Sequence, residues 1–120
     1  MYTYKAKVKR VVDGDTLVVD IDLGMHIWAH DEKIRLYGIN TPEIYGVKKD
    51  SEEYEKGKKA SDFVKELLPS GIEVTLRTYK DKKEKYGRYL ADLTFINPDG
   101  VVVSLNELLV NEGLAERFDD

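Results

Sequence analysis

Three stretches of the sequence concentrate side chains able to act together on a phosphate ester. Val12-Asp13-Gly14-Asp15-Thr16 carries two carboxylates. Arg35 is followed by Asn40-Thr41-Pro42-Glu43, and Lys80 to Arg88 holds five basic side chains against two acidic ones, with Tyr86 among them. Oxygen ligands from Asp15, Asn40 and the Thr41 carbonyl suit a hard cation, Ca²⁺ rather than zinc. Arg35 and Arg88 could grip two oxygens of one phosphate and stabilise the charge that develops on a five-coordinate phosphorus. Glu43 could orient or deprotonate an attacking water. A metal, two arginines and a carboxylate are together what phosphodiester hydrolysis requires, because the developing charge lies on the non-bridging oxygens.

Taken singly, each stretch has an ordinary structural account. The first reads as a hairpin turn with solvated aspartates, the second as a strand-ending turn with a solvated glutamate, and the third as a charged loop. Arg35 by itself reads as a solvent-facing strand arginine. One detail cuts against the first account. Asp15 is in phase with Leu17, Val19 and Ile21, so an extended chain aims its carboxylate along the core-facing side, where it needs a cation or hydrogen-bond donors. A fourth stretch, His26-Ile27-Trp28-Ala29-His30, places two histidines at i and i+4. It lacks the glutamate of an H-E-x-x-H motif and falls between strands, so it reads as a structural loop from Gly24 to Asp31.

The elements that must position these residues follow from periodicity. Ala6, Val8 and Val12 alternate with lysines, and Leu17, Val19 and Ile21 alternate with Val18, Asp20 and Asp22, with Asp13-Gly14 as the hairpin signal between them. A third strand is expected at Lys33 to Tyr37. Beyond Pro42 the period becomes helical: Asp50 with Glu53 reads as an N-terminal cap, Gly57, Ala60, Phe63/Val64 and Leu67/Leu68 form the apolar face, and Pro69-Ser70-Gly71 ends it. Strands return at Ile72 to Tyr79, Tyr89 to Phe95 and, after the turn Asn97-Pro98-Asp99-Gly100, Val101 to Val103. Ser104-Leu105-Asn106-Glu107 is a capping box for a short helix closed by Gly113. This order is expected to give an α+β fold: a five-stranded barrel of the oligonucleotide-binding type, a helix between strands 3 and 4, and a short C-terminal helix.

Composition bounds the class. The 120 residues, 42% hydrophobic and 35% charged, suit one domain spanning residues 1–120. Zero cysteines exclude a disulfide framework, thiolate zinc and a cysteine nucleophile. No apolar run approaches the ~18 residues of a membrane span. Lys5, Lys7, Lys9 and Arg10 at the start, without an apolar signal core, lead to a cytoplasmic expectation, although a secreted protein after signal removal would carry the same residues. No heptad or long apolar stripe marks a protein interface, so a monomer is expected. The formal charge of −4 argues against a protein held on nucleic acid by its overall charge.

The sequence resembles the staphylococcal nuclease-like (thermonuclease) family along essentially its whole length, through VVDGDTLVV, IRLYGINTPE, KYGR and SLNELLVNEGLA in that order. The resemblance implies Ca²⁺-dependent cleavage of DNA and RNA, by water attack at phosphorus that breaks the bond to the 5′ oxygen and leaves 3′-phosphate ends. By position, Asp15, Asn40 and Thr41 fall on the family's calcium ligands, Arg35 and Arg88 on its phosphate-binding arginines, and Glu43 on its catalytic carboxylate. Lys85 and Tyr86 match residues lining its nucleotide pocket. Two departures stand out. Asn40 replaces an aspartate, so one formal charge is gone and Ca²⁺ should bind more weakly, with Mg²⁺ or Mn²⁺ as alternatives. The sequence ends at Glu116-Arg117-Phe118-Asp119-Asp120, where the prototype continues into tyrosines near the bound base, so base stacking from that segment is expected to be missing or left to Phe118. A non-catalytic nucleic-acid or protein-binding module on the same barrel is the competing expectation. Retention of Arg35, Glu43 and Arg88 disfavours it, and Asn40 keeps it open.

Overall fold

Inward alternation of small and branched apolar residues curls the β-strands around one core. The computed structural model describes residues 2–79, 83 and 85–118. The strands are β1 (Tyr2–Asp13), β2 (Thr16–Asp22), β3 (Trp28–Leu36), β4 (Ile39–Asn40), β5 (Glu73–Tyr79), β6 (Tyr89–Ile96), β7 (Val102–Ser104) and β8 (Glu116–Arg117). Helix α1 (Glu52–Leu67) lies between β4 and β5, and α2 (Leu105–Asn111) follows β7. Antiparallel pairing runs β3-β2-β1-β5-β6-β7, and a parallel pairing of β3 with β6, from Ile34↔Tyr89 to Leu36↔Ala91, closes five strands into a barrel. Closure removes the open edges that a five-stranded sheet would otherwise present. The expected barrel, its helix between the third and fourth barrel strands and the short second helix are all present.

The barrel interior is filled by Ala6 and Val8 of β1, Leu17, Val19 and Ile21 of β2, Ile34 and Leu36 of β3, Val74 and Leu76 of β5, and Ala91, Leu93 and Phe95 of β6. Val64 and Leu68 bring the C-terminal half of the α1 region onto this core, and Leu105 and Leu109 bring α2. Among the described residues, no helix is long and apolar enough to cross a membrane.

Several boundaries differ from expectation for identifiable reasons. The first hairpin turns on Gly14-Asp15, not Asp13-Gly14, because Asp13 stays in the ladder opposite Thr16 after register shifts in β1. Strand β3 starts at Trp28, not Lys33. Trp28 pairs with Asp22, and the Lys7 ammonium lies 5.5 Å from its ring centroid, so the expected loop is shorter and His30 belongs to a strand. His30 Nδ1 lies 3.2 Å from Asp20 Oδ1, while His26 sits in the turn with a left-handed backbone. Ser51, not Asp50, caps α1: it is extended, and its hydroxyl accepts from the Tyr54 N–H at 3.2 Å. At α2 the Ser104 hydroxyl accepts from the Glu107 N–H, as the capping box implies. The last barrel-linked strand is shifted by one residue, to Val102–Ser104. The two-residue ribbon β4–β8 is too short to leave any periodicity in sequence.

Candidate active site

The site is built where the β1–β2 turn, the end of β3 and the segment after β4 meet beside α1. Gly14 makes that meeting possible. A Cβ there would lie 2.9 Å from both the Ala60 Cβ of α1 and the Thr41 Cγ2, so only glycine admits the approach. Gly57, one helical turn earlier, has the same role for the next segment. Its Cβ would fall 2.6 Å from the Pro42 carbonyl oxygen, 2.7 Å from Ile44 Cγ2 and 2.9 Å from the Glu43 carbonyl oxygen. The helix therefore forms the seat of the backbone that carries Glu43.

Asp15 is 5% exposed, and its carboxylate is surrounded by the donors that burial demands. Oδ1 accepts from the Thr16 hydroxyl at 3.1 Å, Oδ2 accepts from the Thr41 N–H at 3.1 Å, and Arg35 NH1 stands 3.5 Å from Oδ2. Burial pushes the Asp15 carboxyl up, but its hydrogen bond to Asp13, the Arg35 charge and the Thr41 and Thr16 donors together hold it below the usual carboxylate range. Asp13 moves the other way. Burial, with Asp15 beside it, pushes it up to about 7. The pair thus divides its charge unequally, with Asp15 the ionised member.

Arg35 is 8% exposed, which overturns its reading as a solvent-facing strand arginine. NH1 donates to the Leu36 carbonyl at 2.7 Å and NH2 donates to Asn40 Oδ1 at 3.2 Å. Arginine has no acceptor, so the Asn40 amide must turn its oxygen toward Arg35. Arg88 approaches from the start of β6, with NH1 3.5 Å from the Thr16 hydroxyl oxygen and its guanidinium carbon 5.3 Å from the Tyr86 ring centroid. Lys85 Nζ lies 5.0 Å from the same centroid. Both Lys85 and Tyr86 are exposed. Thr16 is the member of the site that sequence reading passed over. Its hydroxyl links Asp15 to Arg88, and the signal was its adjacency to Asp15 at the first position of a strand. Of the charged run, Lys80, Asp81, Lys82 and Glu84 lie outside the described residues, as do Asp119 and Asp120 at the other end of the chain. Phe118 is about half exposed, and its N–H donates to the Gly38 carbonyl.

Glu43 is exposed and opens on a cleft of about 650 Å³ between α1 and the α2–β8 segment. That cleft is rimmed by Glu43, Glu52, Glu53, Glu112 and Glu116 against Lys56 and Lys59. Its carboxylates outnumber its ammonium groups, so the cleft is acidic.

The donor set suits a hard cation. Asp15 supplies a carboxylate, Thr41 a carbonyl and Asn40 an amide oxygen, and the buried Thr41 hydroxyl oxygen has no protein partner. Among the described residues, no three His, Cys, Asp or Glu side chains gather in metal-binding array. Any cation here would therefore be held by oxygens of low total charge.

The fold is a closed five-stranded barrel with two helices that carries Arg35, Arg88 and the buried Asp15 around the β1–β2 turn. A family model described as "Staphylococcal nuclease homologue" matches residues 33–119, and the chain belongs to that family. It is 37% identical to an uncharacterised protein of Methanocaldococcus jannaschii over 96% of this chain and 59% of that protein. It is 43% identical to the thermonuclease of Staphylococcus intermedius over 70% of this chain and 45% of that protein. To the thermonuclease of Staphylococcus hyicus it is 38% identical, over 91% of this chain and 56% of that protein. The chain thus spans about half the length of the curated relatives it matches.

Proposed function

We propose that the chain is a Ca²⁺-dependent nuclease that hydrolyses phosphodiester bonds of DNA or RNA with low sequence specificity. The observation that carries this reading is the convergence of Arg35 and Arg88 on the Asp15-Thr16 turn, with Arg35 held by Leu36 and Asn40. One guanidinium 3.5 Å from the buried carboxylate and a second on the neighbouring Thr16 hydroxyl set an anion site next to a cation site, the charge pattern that phosphodiester hydrolysis needs. Family membership and the thermonucleases among the relatives support the same reading.

Asp15, the Thr41 carbonyl and Asn40 would hold the cation. When bound it would neutralise charge on a phosphoryl oxygen and favour attack at phosphorus. Arg35 and Arg88 donate to the non-bridging oxygens, where charge grows as phosphorus becomes five-coordinate. Glu43 accepts a proton from the attacking water. The water oxygen bonds to phosphorus, the bond to the 5′ oxygen breaks, that oxygen takes a proton from solvent and leaves as a 5′-hydroxyl, and a 3′-phosphate is left. Lys85 and Tyr86 flank the nucleotide.

Incubating the protein with single-stranded DNA and RNA, in Ca²⁺ or in chelator, tests this directly, and parallel lanes with Mg²⁺ and Mn²⁺ identify the metal. Cleavage is expected with Ca²⁺ only. Glu43→Ala should lower the rate by a factor on the order of 10²–10⁴ while leaving binding of thymidine 3′,5′-bisphosphate nearly unchanged; equal rates in the two proteins would sink the assignment. Asn40 favours a second reading, a binding module without catalysis, because it removes one charge from the cation site. Binding without cleavage under every metal would select that module.

A further inference from the structure

The outer face of β1–β2–β3 carries two successive cross-strand rows beside the site. The first is Asp13–Thr16–Arg35, and the second is Arg10–Val18–Lys33. Lys33 and Arg35 are two residues apart on β3, so they project to the same side about 7 Å from each other. Directly opposed side chains across a ladder lie about 5 Å apart at Cβ. Arg88 immediately precedes Tyr89, which pairs with Ile34 in the parallel ladder, so Arg88 enters at the level of Lys33 and reaches back to Thr16 in the first row. Val18 is buried although it points away from the core, between neighbours whose long aliphatic stems can cover it.

Arg10 and Lys33 are both exposed. The row beyond them is different. Lys7 faces Asp20, Asp20 accepts from the Asp31 N–H at 3.0 Å and lies 3.2 Å from His30, and Lys9 is paired with Asp31 at 2.7 Å. There the cations are balanced, and the positive stripe stops. Arg10 and Lys33 therefore form an exposed cationic row next to the row that carries the mostly buried Arg35, with Arg88 reaching from one row to the other.

We propose that Arg10 and Lys33 form a second phosphate subsite, which holds the phosphodiester next to the scissile one in a single-stranded polynucleotide. The spacing of the two rows is comparable to the reach between adjacent phosphates of an extended strand, and the acidic residues of the third row limit the track to one further phosphate. The subsite rests on the reading of Arg35 and Arg88 as the scissile-phosphate site. It makes the preferred substrate a chain and not a mononucleotide.

Fluorescence anisotropy of a labelled oligothymidylate, titrated with protein in chelator at several salt concentrations, tests it without hydrolysis. Each of Arg10→Ala and Lys33→Ala should weaken binding and reduce the slope of log K against log salt by about 0.7, the value for one phosphate contact on a single strand. Lys33→Arg should keep the slope, and Lys9→Ala, off the track, should not change it. Thymidine 5′-monophosphate, which carries a single phosphate, should, by calorimetry, bind all four variants as it binds the wild type. Unchanged slopes in Arg10→Ala and Lys33→Ala, with wild-type binding of both ligands, would overturn the subsite alone. Equal weakening of the monophosphate would place these residues in the scissile-phosphate site and overturn the subsite as a separate one. Failure of the wild type to bind either ligand would remove the nuclease reading together with the subsite.

Discussion

Asn40 shows how one side chain can serve two neighbours. Its amide oxygen accepts from Arg35, yet the same oxygen is the one a cation would use, so orienting the guanidinium competes with ligation. An aspartate at this position has two oxygens and can serve both. Asn40→Asp is therefore expected to tighten Ca²⁺ binding, measured by isothermal titration calorimetry on the nucleic-acid-free protein, because it restores one formal charge and one ligand oxygen. Coincident titrations for the two proteins would show that the cation does not use this residue. The buried state of Arg35 was not legible from its strand position. Outward phase usually means solvent, and it was overridden here by three acceptors brought from different segments: the Leu36 carbonyl, Asn40 and Asp15.

At the level of elements, α1 acts as the site's platform as well as part of the core. Alanine is favoured over glycine inside a helix by about 1 kcal/mol, so on propensity alone Gly57→Ala should stabilise the protein. The close approach of the Pro42 and Glu43 carbonyls and of Ile44 reverses the sign. Gly57→Ala is expected to lower stability in urea unfolding by about 1–3 kcal/mol, as overpacking does. In the same variant kcat should fall more than tenfold with KM nearly unchanged, because the Glu43 backbone must shift while the arginines remain in place. A stabilised variant with full activity would show that the loop, and not the helix, sets the position of Glu43. The apolar spacing of α1 was legible in sequence; that one member of its inner face is a glycine for steric reasons was not, since the clash partner lies more than ten residues away.

Barrel closure is a property of the whole molecule. Ile34 is fully buried and pairs with Tyr89 where the first three strands meet β6. Ile34→Ala should cost about 2–5 kcal/mol, read as a lower urea midpoint with an unchanged slope. A change confined to β3, with the rest of the barrel still protected from hydrogen exchange, would show that closure is not cooperative. Charge is also distributed at this scale. The net value of −4 combines a glutamate-rimmed cleft beside α1 with the arginines and Lys33 on the outer face of the barrel. Under the proposed function a phosphate meets the second, so a globally acidic chain can still offer cations to a polyanion.

Period-2 and helical alternation, turn signals and capping residues are local, and the sequence by itself therefore determined the order of the barrel strands and helices, most of the core-facing residues and the barrel class; the bulge in β1 turned Val11, not the expected Val12, toward the core. The sequence also singled out Asp15, Arg35, Asn40, Thr41, Glu43 and Arg88 as candidates whose types together point to one chemistry. Only the tertiary structure decided which of them touch. Contacts between residues far apart in the chain depend on register, on the bulges of β1 and on the glycine-dependent approach of α1, none of which leaves a periodic trace. It likewise placed Arg10 and Lys33 in one row, because a ladder joins residues by pairing and not by nearness in sequence.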